Sequence, residues 1–220
     1  MSYPDIQLFT AATMNGWKPL IFLEEAGVEY DLVSVDFSTR AHKAPDFLAL
    51  NPNGKIPALI DRGNDDFAVF ESGAMLWYLA EKYGQFLSAD PNTRSETLQW
   101  LMLQMGGVGP AMGQAMFFAR FAEDAGQASA AATARFTGES RRLFEVLDTR
   151  LQERDWLAGD AYSIADMAMF PWVRCHSWAT ISIDGLDHLA AWIERLDARP
   201  AVARALQLPN PAPKFLARYD

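Results

Sequence analysis

Hydrophobic residues along this 220-residue chain follow two periodicities, and the pattern changes near residue 90. Over residues 5–10 apolar and polar positions alternate, with Ile6 and Leu8 on one side, as a half-buried strand requires. Residues 17–26 then carry Leu20, Ile21 and Leu23 at helical spacing and stop at Gly27, a C-cap glycine. Residues 30–36 alternate again, so the opening predicts a β-α-β unit with a parallel strand pair and a right-handed crossover. The polar stretch 37–43 reads as a loop, 44–50 as a short helix, and 57–61 and 67–70 as two strands joined by the turn residues Gly63-Asn-Asp-Asp66. Ile56-Pro57 opens the first of these strands, where a residue without an N–H is tolerated, and its bond is as open to cis as to trans. A helix follows over 71–83.

Residues 84–93, with Pro91 and Asn92, read as a linker, and beyond it no strand pattern appears. Helical spacing over 94–105 is interrupted or kinked at Gly106-Gly-Val-Gly-Pro110 and resumes over 111–121. A long amphipathic helix is predicted over 128–152. Ser163-Ile-Ala-Asp166 forms a capping box ahead of an apolar run, with Tyr162 and Met167 placed as a hydrophobic staple. A further helix over 186–198 stops before Pro200, and a short helix and a proline-rich tail end the chain. The expected organisation is an α/β unit over 1–87 and an all-helical unit over 94–220.

Composition narrows the function class. A chain that is 50% hydrophobic can bury a sizeable core. No apolar run reaches the roughly 20 residues that cross a bilayer, and Met-Ser-Tyr-Pro-Asp lacks the basic and apolar regions of a secretory signal, so a cytoplasmic protein without a membrane partner is expected. A net charge of −9 argues against a nucleic-acid partner, whose phosphates call for a cationic face. Cys175 is the only cysteine, so neither an internal disulfide nor a Cys-x-x-Cys pair exists. It sits in the aromatic stretch 170–178, where burial as a small apolar residue is expected. Any thiol chemistry must therefore use a thiol that arrives with a ligand. His176 and His188 have no partners at metal-ligand spacing, and no metal site is expected.

Two stretches carry candidate chemistry. In Thr10-Ala-Ala-Thr13-Met-Asn15-Gly16-Trp17-Lys-Pro19, Thr13 and Asn15 fall at the start of a helix, where amides lack partners and the dipole is positive. Such a turn suits an anion, and a thiolate is one candidate; the plain alternative is Asn15 as an N-cap. Gly16 permits a close turn, and Pro19 is expected in the first turn. In Glu71-Ser72, an acid and a hydroxyl open a helix. They are either simple capping groups or a clamp in which Ser72 and neighbouring amides hold a carboxylate while Glu71 answers an ammonium, as an α-amino acid group would need.

The order of these elements resembles the cytosolic glutathione transferases over nearly the whole chain. Thr13-Met-Asn15-Gly16, Asn51-Pro-Asn-Gly-Lys-Ile56-Pro57-Ala-Leu-Ile-Asp61, Phe70-Glu-Ser-Gly-Ala74, Gln99-Trp-Leu101 and Gln104-Met-Gly-Gly-Val-Gly-Pro110 are similar to the bacterial nu class. Its members are glutathione-dependent disulfide-bond reductases related to a fungal nitrogen regulator. Met14 departs from that class, which usually has Pro there. The resemblance implies a thioredoxin-like N-terminal domain followed by an all-α domain, and a homodimer whose contact surface includes Trp100 and Gly106-Gly107. It places Thr13 and Asn15 beside the sulfur of bound glutathione, Ile56 against the cysteinyl peptide, Glu71 and Ser72 at the γ-glutamyl end, His42 at the glycyl end and Arg135 on a carboxylate. It implies glutathione, reduced or oxidised, as the bound cosubstrate, with a small disulfide as second substrate. Conjugation to electrophiles, reduction of organic hydroperoxides and a non-enzymatic regulatory role stand as alternatives.

Overall fold

The computed structural model describes residues 3–209; the expected tail beyond them lies outside the described residues. Strands β1 (Ile6–Thr10), β2 (Tyr30–Ser34), β3 (Ala58–Asp61) and β4 (Phe67–Phe70) form a 4-stranded sheet in the order β2-β1-β3-β4. β1 is parallel to β2 and antiparallel to β3, and β4 is antiparallel to β3. The alternation in β1 now has a packing meaning. Ile6, Leu8 and Thr10 are buried on one face, while Phe9 on the other meets Phe47 of α2 (Pro45–Leu50) edge-on at 6.4 Å.

Helices α1 (Met14–Ala26) and α3 (Ser72–Tyr83) pack against each other. α1 begins three residues before the apolar spacing suggests, because Thr13 is the N-cap and its Oγ accepts from the Gly16 N–H at 3.1 Å. Asn15 is therefore inside the first turn and not the cap. Pro19 falls in the second turn, where the ring removes a helical donor, and packing around it sustains the helix. Every residue from Gly16 through Leu23 is buried, so α1 is enclosed on all sides. α9 (Pro200–Leu206) completes the enclosure: Arg199 at its head forks onto Glu25, and Trp17 Nε1 donates to the Leu208 carbonyl at 3.2 Å. Residues 3–85 and 199–209 accordingly form one compact unit and 86–198 a second.

The second unit contains α4 (Pro91–Leu103), α5 (Gly109–Arg120), α6 (Ala130–Leu151), α7 (Ile164–Arg174) and α8 (Asp187–Asp197). Asp90 caps α4 by accepting from the Thr93 N–H at 2.8 Å, which shortens the linker to 84–90. The glycine-rich interruption is a π turn over Gln104–Val108, so α4 passes into α5 without a break. Gly109 is closely packed there: an added Cβ would lie 2.9 Å from Gln104 Nε2 and 3.2 Å from the Gln104 carbonyl oxygen. The capping box at Ser163 and Asp166 is present and opens α7, whose buried side packs Phe170 against Trp192 of α8. Among the described residues no helix is long and apolar enough to cross a membrane.

Candidate functional site

Sheet register brings the first unit's candidate residues to one edge. Phe9 faces Ala58, and Ala58 faces Phe70. The residues that follow β1, precede β3 and follow β4 therefore converge: Ala11 to Thr13, Ile56-Pro57, and Glu71-Ser72. β2 runs parallel to β1, so the loop that carries His42 leaves from the same edge. The Ile56–Pro57 bond is cis.

At this edge the chain turns from β1 into α1 under tight steric control. A Cβ on Gly16 would stand 2.0 Å from the Ala11 carbonyl oxygen and 2.6 Å from Thr10 Oγ1. The buried Thr10 hydroxyl closes the same turn by donating to the Gly16 carbonyl at 3.2 Å. Thr13 Oγ is held in place as acceptor of the Gly16 N–H, and its own proton remains to donate. With Asn15 in the first turn, the corner presents helix-start amides and a hydroxyl to an incoming anion.

Glu71 and Ser72 do not act as plain caps. Glu71 occupies the N-cap position of α3 with φ 71° and ψ 117°, and its exposed side chain makes no capping hydrogen bond. A non-glycine residue held at positive φ costs about 1–3 kcal/mol, and such strain gathers at ligand clamps. Ser72 is 3% exposed, and its Oγ accepts from Lys18 Nζ at 3.2 Å.

Lys18 is the buried neighbour of Ser72 that periodicity and motif reading pass over. It is 0% exposed, and burial lowers its ammonium from 10.5 to about 7 against the opposing pull of Glu71. The one signal in the sequence is a lysine inside the continuous apolar run of α1. Between about pH 7 and 10.5 the unfolded chain holds a proton that the folded Lys18 lacks, so stability rises with pH across that window. Below about pH 7 both states are protonated, and the penalty for burying the charge is complete. Lys18→Met is expected to remove this slope, on the order of a few kcal/mol. Denaturant midpoints of both proteins at pH 7 and 9.5 check it, and parallel pH profiles contradict it.

His42 lies on the turn Ala41–Lys43 with its ring edge-on to Phe37 at 5.1 Å. Its Nδ1 is buried without a hydrogen-bond partner among the described residues. Arg135 belongs to the second unit, on α6. There it lines a cavity of about 650 Å³ together with Gly106, Gly107, Gln114, Phe136 and Arg142. Of the four arginines on this helix, Arg141 is held by the Ser182 carbonyl at 2.8 Å, Arg142 by Glu139 at 2.7 Å, and Arg150 by Glu96 and the Leu157 carbonyl. Arg135 makes no hydrogen bond or ion pair among the described residues, so its guanidinium is the one available to an anion.

Cys175 offers no alternative chemistry. It is 0% exposed, and burial pushes its thiol up to about 12. Among the described residues no group of three or more His, Cys, Asp or Glu could hold a metal ion.

The sequence profile of the glutathione S-transferase N-terminal domain matches residues 4–81, and that of the C-terminal domain matches residues 108–200. The disulfide-bond oxidoreductase YfcG of Escherichia coli (strain K12) is 43% identical over 205 residues, covering 91% of this chain and 94% of that protein. The transcriptional regulator URE2 of Saccharomyces cerevisiae is 33% identical over 232 residues, covering 88% of this chain and 65% of its own. A glutathione transferase from Pseudomonas putida, solved with one glutathione disulfide bound per subunit, superposes with a TM-score of 0.88 at 42% identity, covering 94% of this chain and 92% of that one.

Proposed function

The chain belongs to the glutathione S-transferase family, and we propose that it works there as a glutathione-dependent disulfide reductase. The carrying observation is the convergence at one sheet edge of the Thr13 corner, Ile56-Pro57 and Glu71-Ser72, in a protein whose only thiol is buried and held protonated. The reducing sulfur must come from the ligand. The reading is supported by YfcG, a disulfide-bond oxidoreductase, and by the glutathione disulfide bound to the Pseudomonas putida relative.

Glutathione lies with its γ-glutamyl ammonium on Glu71 and that residue's α-carboxylate on Ser72 and the first amides of α3. The Ile56 backbone pairs with the cysteinyl peptide, His42 meets the glycyl end, and Arg135 takes a carboxylate. Thr13 Oγ–H and an Asn15 N–H donate to the sulfur. A thiol of pKa about 8.5 is mostly protonated at pH 7, and each unit of lowering needs about 1.4 kcal/mol of thiolate preference. One or two charge-assisted hydrogen bonds supply that. The thiolate attacks one sulfur of an external disulfide, forming a mixed disulfide and expelling the other sulfur as a thiolate, which takes up a proton. A second glutathione thiolate attacks the glutathione sulfur of the mixed disulfide, giving glutathione disulfide and releasing the second thiol. The electron pair that reduces the substrate comes from two glutathiones; the protein positions the sulfur and stabilises its charge.

Met14 stands at the first helical position, where a proline would be prearranged, so the Thr13 cap and Gly16 carry the turn here. We place the enzyme in the cytoplasm, where glutathione is kept reduced. It forms a homodimer through α4 and the Gly106-Gly107 turn, a surface on which Leu98 and Met102 are 39% and 52% exposed; sedimentation equilibrium reads the mass directly.

Thr13→Ala is expected to lower kcat/KM for glutathione-driven reduction of 2-hydroxyethyl disulfide about 100-fold, the usual loss for one donor to a developing anion. Thr13→Ser restores most of it. Unchanged rates in both Thr13→Ala and Asn15→Ala refute the assignment. Chlorodinitrobenzene and cumene hydroperoxide assayed alongside separate disulfide reduction from conjugation and peroxide reduction.

A further inference from the structure

Ser72 has a hydroxyl with one proton to give, and its direction depends on what the oxygen accepts. Behind it, inside the first unit, Lys18 Nζ stands 3.2 Å from Ser72 Oγ, on a side chain that is itself 0% exposed. An N–H of Lys18 donates to the oxygen in either protonation state, because both the ammonium and the amine carry donors. We propose that Lys18 is a positioning residue for the γ-glutamyl carboxylate: its donation fills the inner lone pair of Ser72 Oγ, turning the serine proton outward to the carboxylate, and its charge answers the carboxylate and Glu71 together. This role rests on the glutathione-binding reading above.

The electrostatics around Lys18 fit such a part. α3 and α9 pack on α1. Lys82 of α3 is engaged by Asp61 at 2.6 Å, and Glu81 of α3 is exposed. Arg199 and Arg204, at the head of and within α9, pair with Glu25 and Glu24 near the end of α1. Among the described residues Glu71 is a charged group whose field raises the lysine, while burial draws it down to about 7. A ligand carboxylate brought onto Ser72 adds a second negative charge beside a group poised near neutrality. Binding then draws a proton onto Lys18. The buried lysine becomes an ammonium when the site is filled, and the ion pair it forms is shielded from solvent.

S-methylglutathione tests this, because it keeps the γ-glutamyl group and has no thiol to titrate. Isothermal titration of the full chain in two buffers of different ionisation enthalpy, at pH 8, is expected to show uptake of a substantial fraction of a proton on binding. Lys18→Met is expected to bind about 10-fold more weakly with no uptake, and kcat at saturating glutathione to change less than twofold while KM rises. Lys18→Gln, which keeps a donor without the charge, recovers part of the affinity and none of the uptake. Combined with Ser72→Ala, Lys18→Met should cost little more than Ser72→Ala alone, since the lysine acts through the serine. Wild-type binding without proton uptake overturns the proposal, as does a folded Lys18→Met that binds S-methylglutathione like the wild type. A wild type that ignores both glutathione and S-methylglutathione overturns the functional reading itself, and a wild type that binds while the variants match it overturns only the role of Lys18.

Discussion

Gly16→Ala is expected to destabilise the protein by about 3 kcal/mol or more and to abolish measurable glutathione binding. The new methyl carbon would sit 2.0 Å from the Ala11 carbonyl oxygen, and that obstacle is backbone, which cannot rotate aside as a side chain does. Relief requires the end of β1 and the start of α1 to separate. That separation stretches the bond from Thr10 Oγ1 to the Gly16 carbonyl and the bond from the Gly16 N–H to Thr13 Oγ, at 3.2 and 3.1 Å. Thr13 and Asn15 ride on the same turn, so the donors proposed for the sulfur leave with it. Gly138→Ala is the matched control for stability: an added Cβ on α6 meets nothing within 4 Å, and the change should add about 1 kcal/mol of helix preference. Denaturant midpoints and glutathione titrations on both variants make the comparison. A Gly16→Ala protein with wild-type midpoint and affinity would show that the corner is soft and that the steric account of the site is wrong.

Asp166→Ala is expected to cost about 4 kcal/mol or more and to unravel the second unit ahead of the first. Its carboxylate is fully buried and collects four donors. Oδ1 accepts from the Leu157 N–H and from Trp192 Nε1–H, both at 3.0 Å, and Oδ2 from the Ser163 N–H at 3.1 Å and the Ser163 hydroxyl at 3.2 Å. Burial pushes this carboxyl up to about 6, while these donors pull the other way. Truncation strands all four donors in a dry interior, where each unsatisfied group costs roughly 1–3 kcal/mol before relaxation. It also removes half of the capping box that starts α7 and the tie between α7 and α8 through Trp192. Amide hydrogen exchange should show protection lost over α7 and α8 before α1 and α3. Equal loss in both units, or none, contradicts the placement of this carboxylate as the local anchor.

Much of the architecture was legible in the chain because it depends on neighbours a few residues apart. Alternation at Ile6 and Leu8, the cap glycine Gly27 and the box Ser163–Asp166 are local devices, and each is where the pattern put it. The start of α1 was not. Apolar spacing pointed to Trp17, whereas the Thr13 side chain begins the helix at Met14, because one hydrogen bond to an orphan amide outweighs the hydrophobic pattern at a helix end. Thr13, Asn15, Glu71 and Ser72 stood out as chemistry looking for a ligand, but a motif does not say whether a hydroxyl is spent on capping. The exposed, uncapping Glu71 and the Ser72 oxygen turned to Lys18 answered that.

The sequence by itself determined that strands give way to helices near residue 90, that a helix-start corner and an acid–hydroxyl pair are present, and that no second thiol exists to do redox work. Only the tertiary structure decided that Lys18 is buried against the Ser72 oxygen, that α1 is enclosed on every side, and that Arg135 alone among the α6 arginines has no hydrogen bond or ion pair among the described residues. Those outcomes rest on contacts such as Lys18–Ser72, 54 residues apart, and Trp17–Leu208, 191 apart. Local periodicity carries no record of partners at such separations. Burial, and with it the charge state and hydrogen-bond direction of a side chain, is settled only when distant elements close over it.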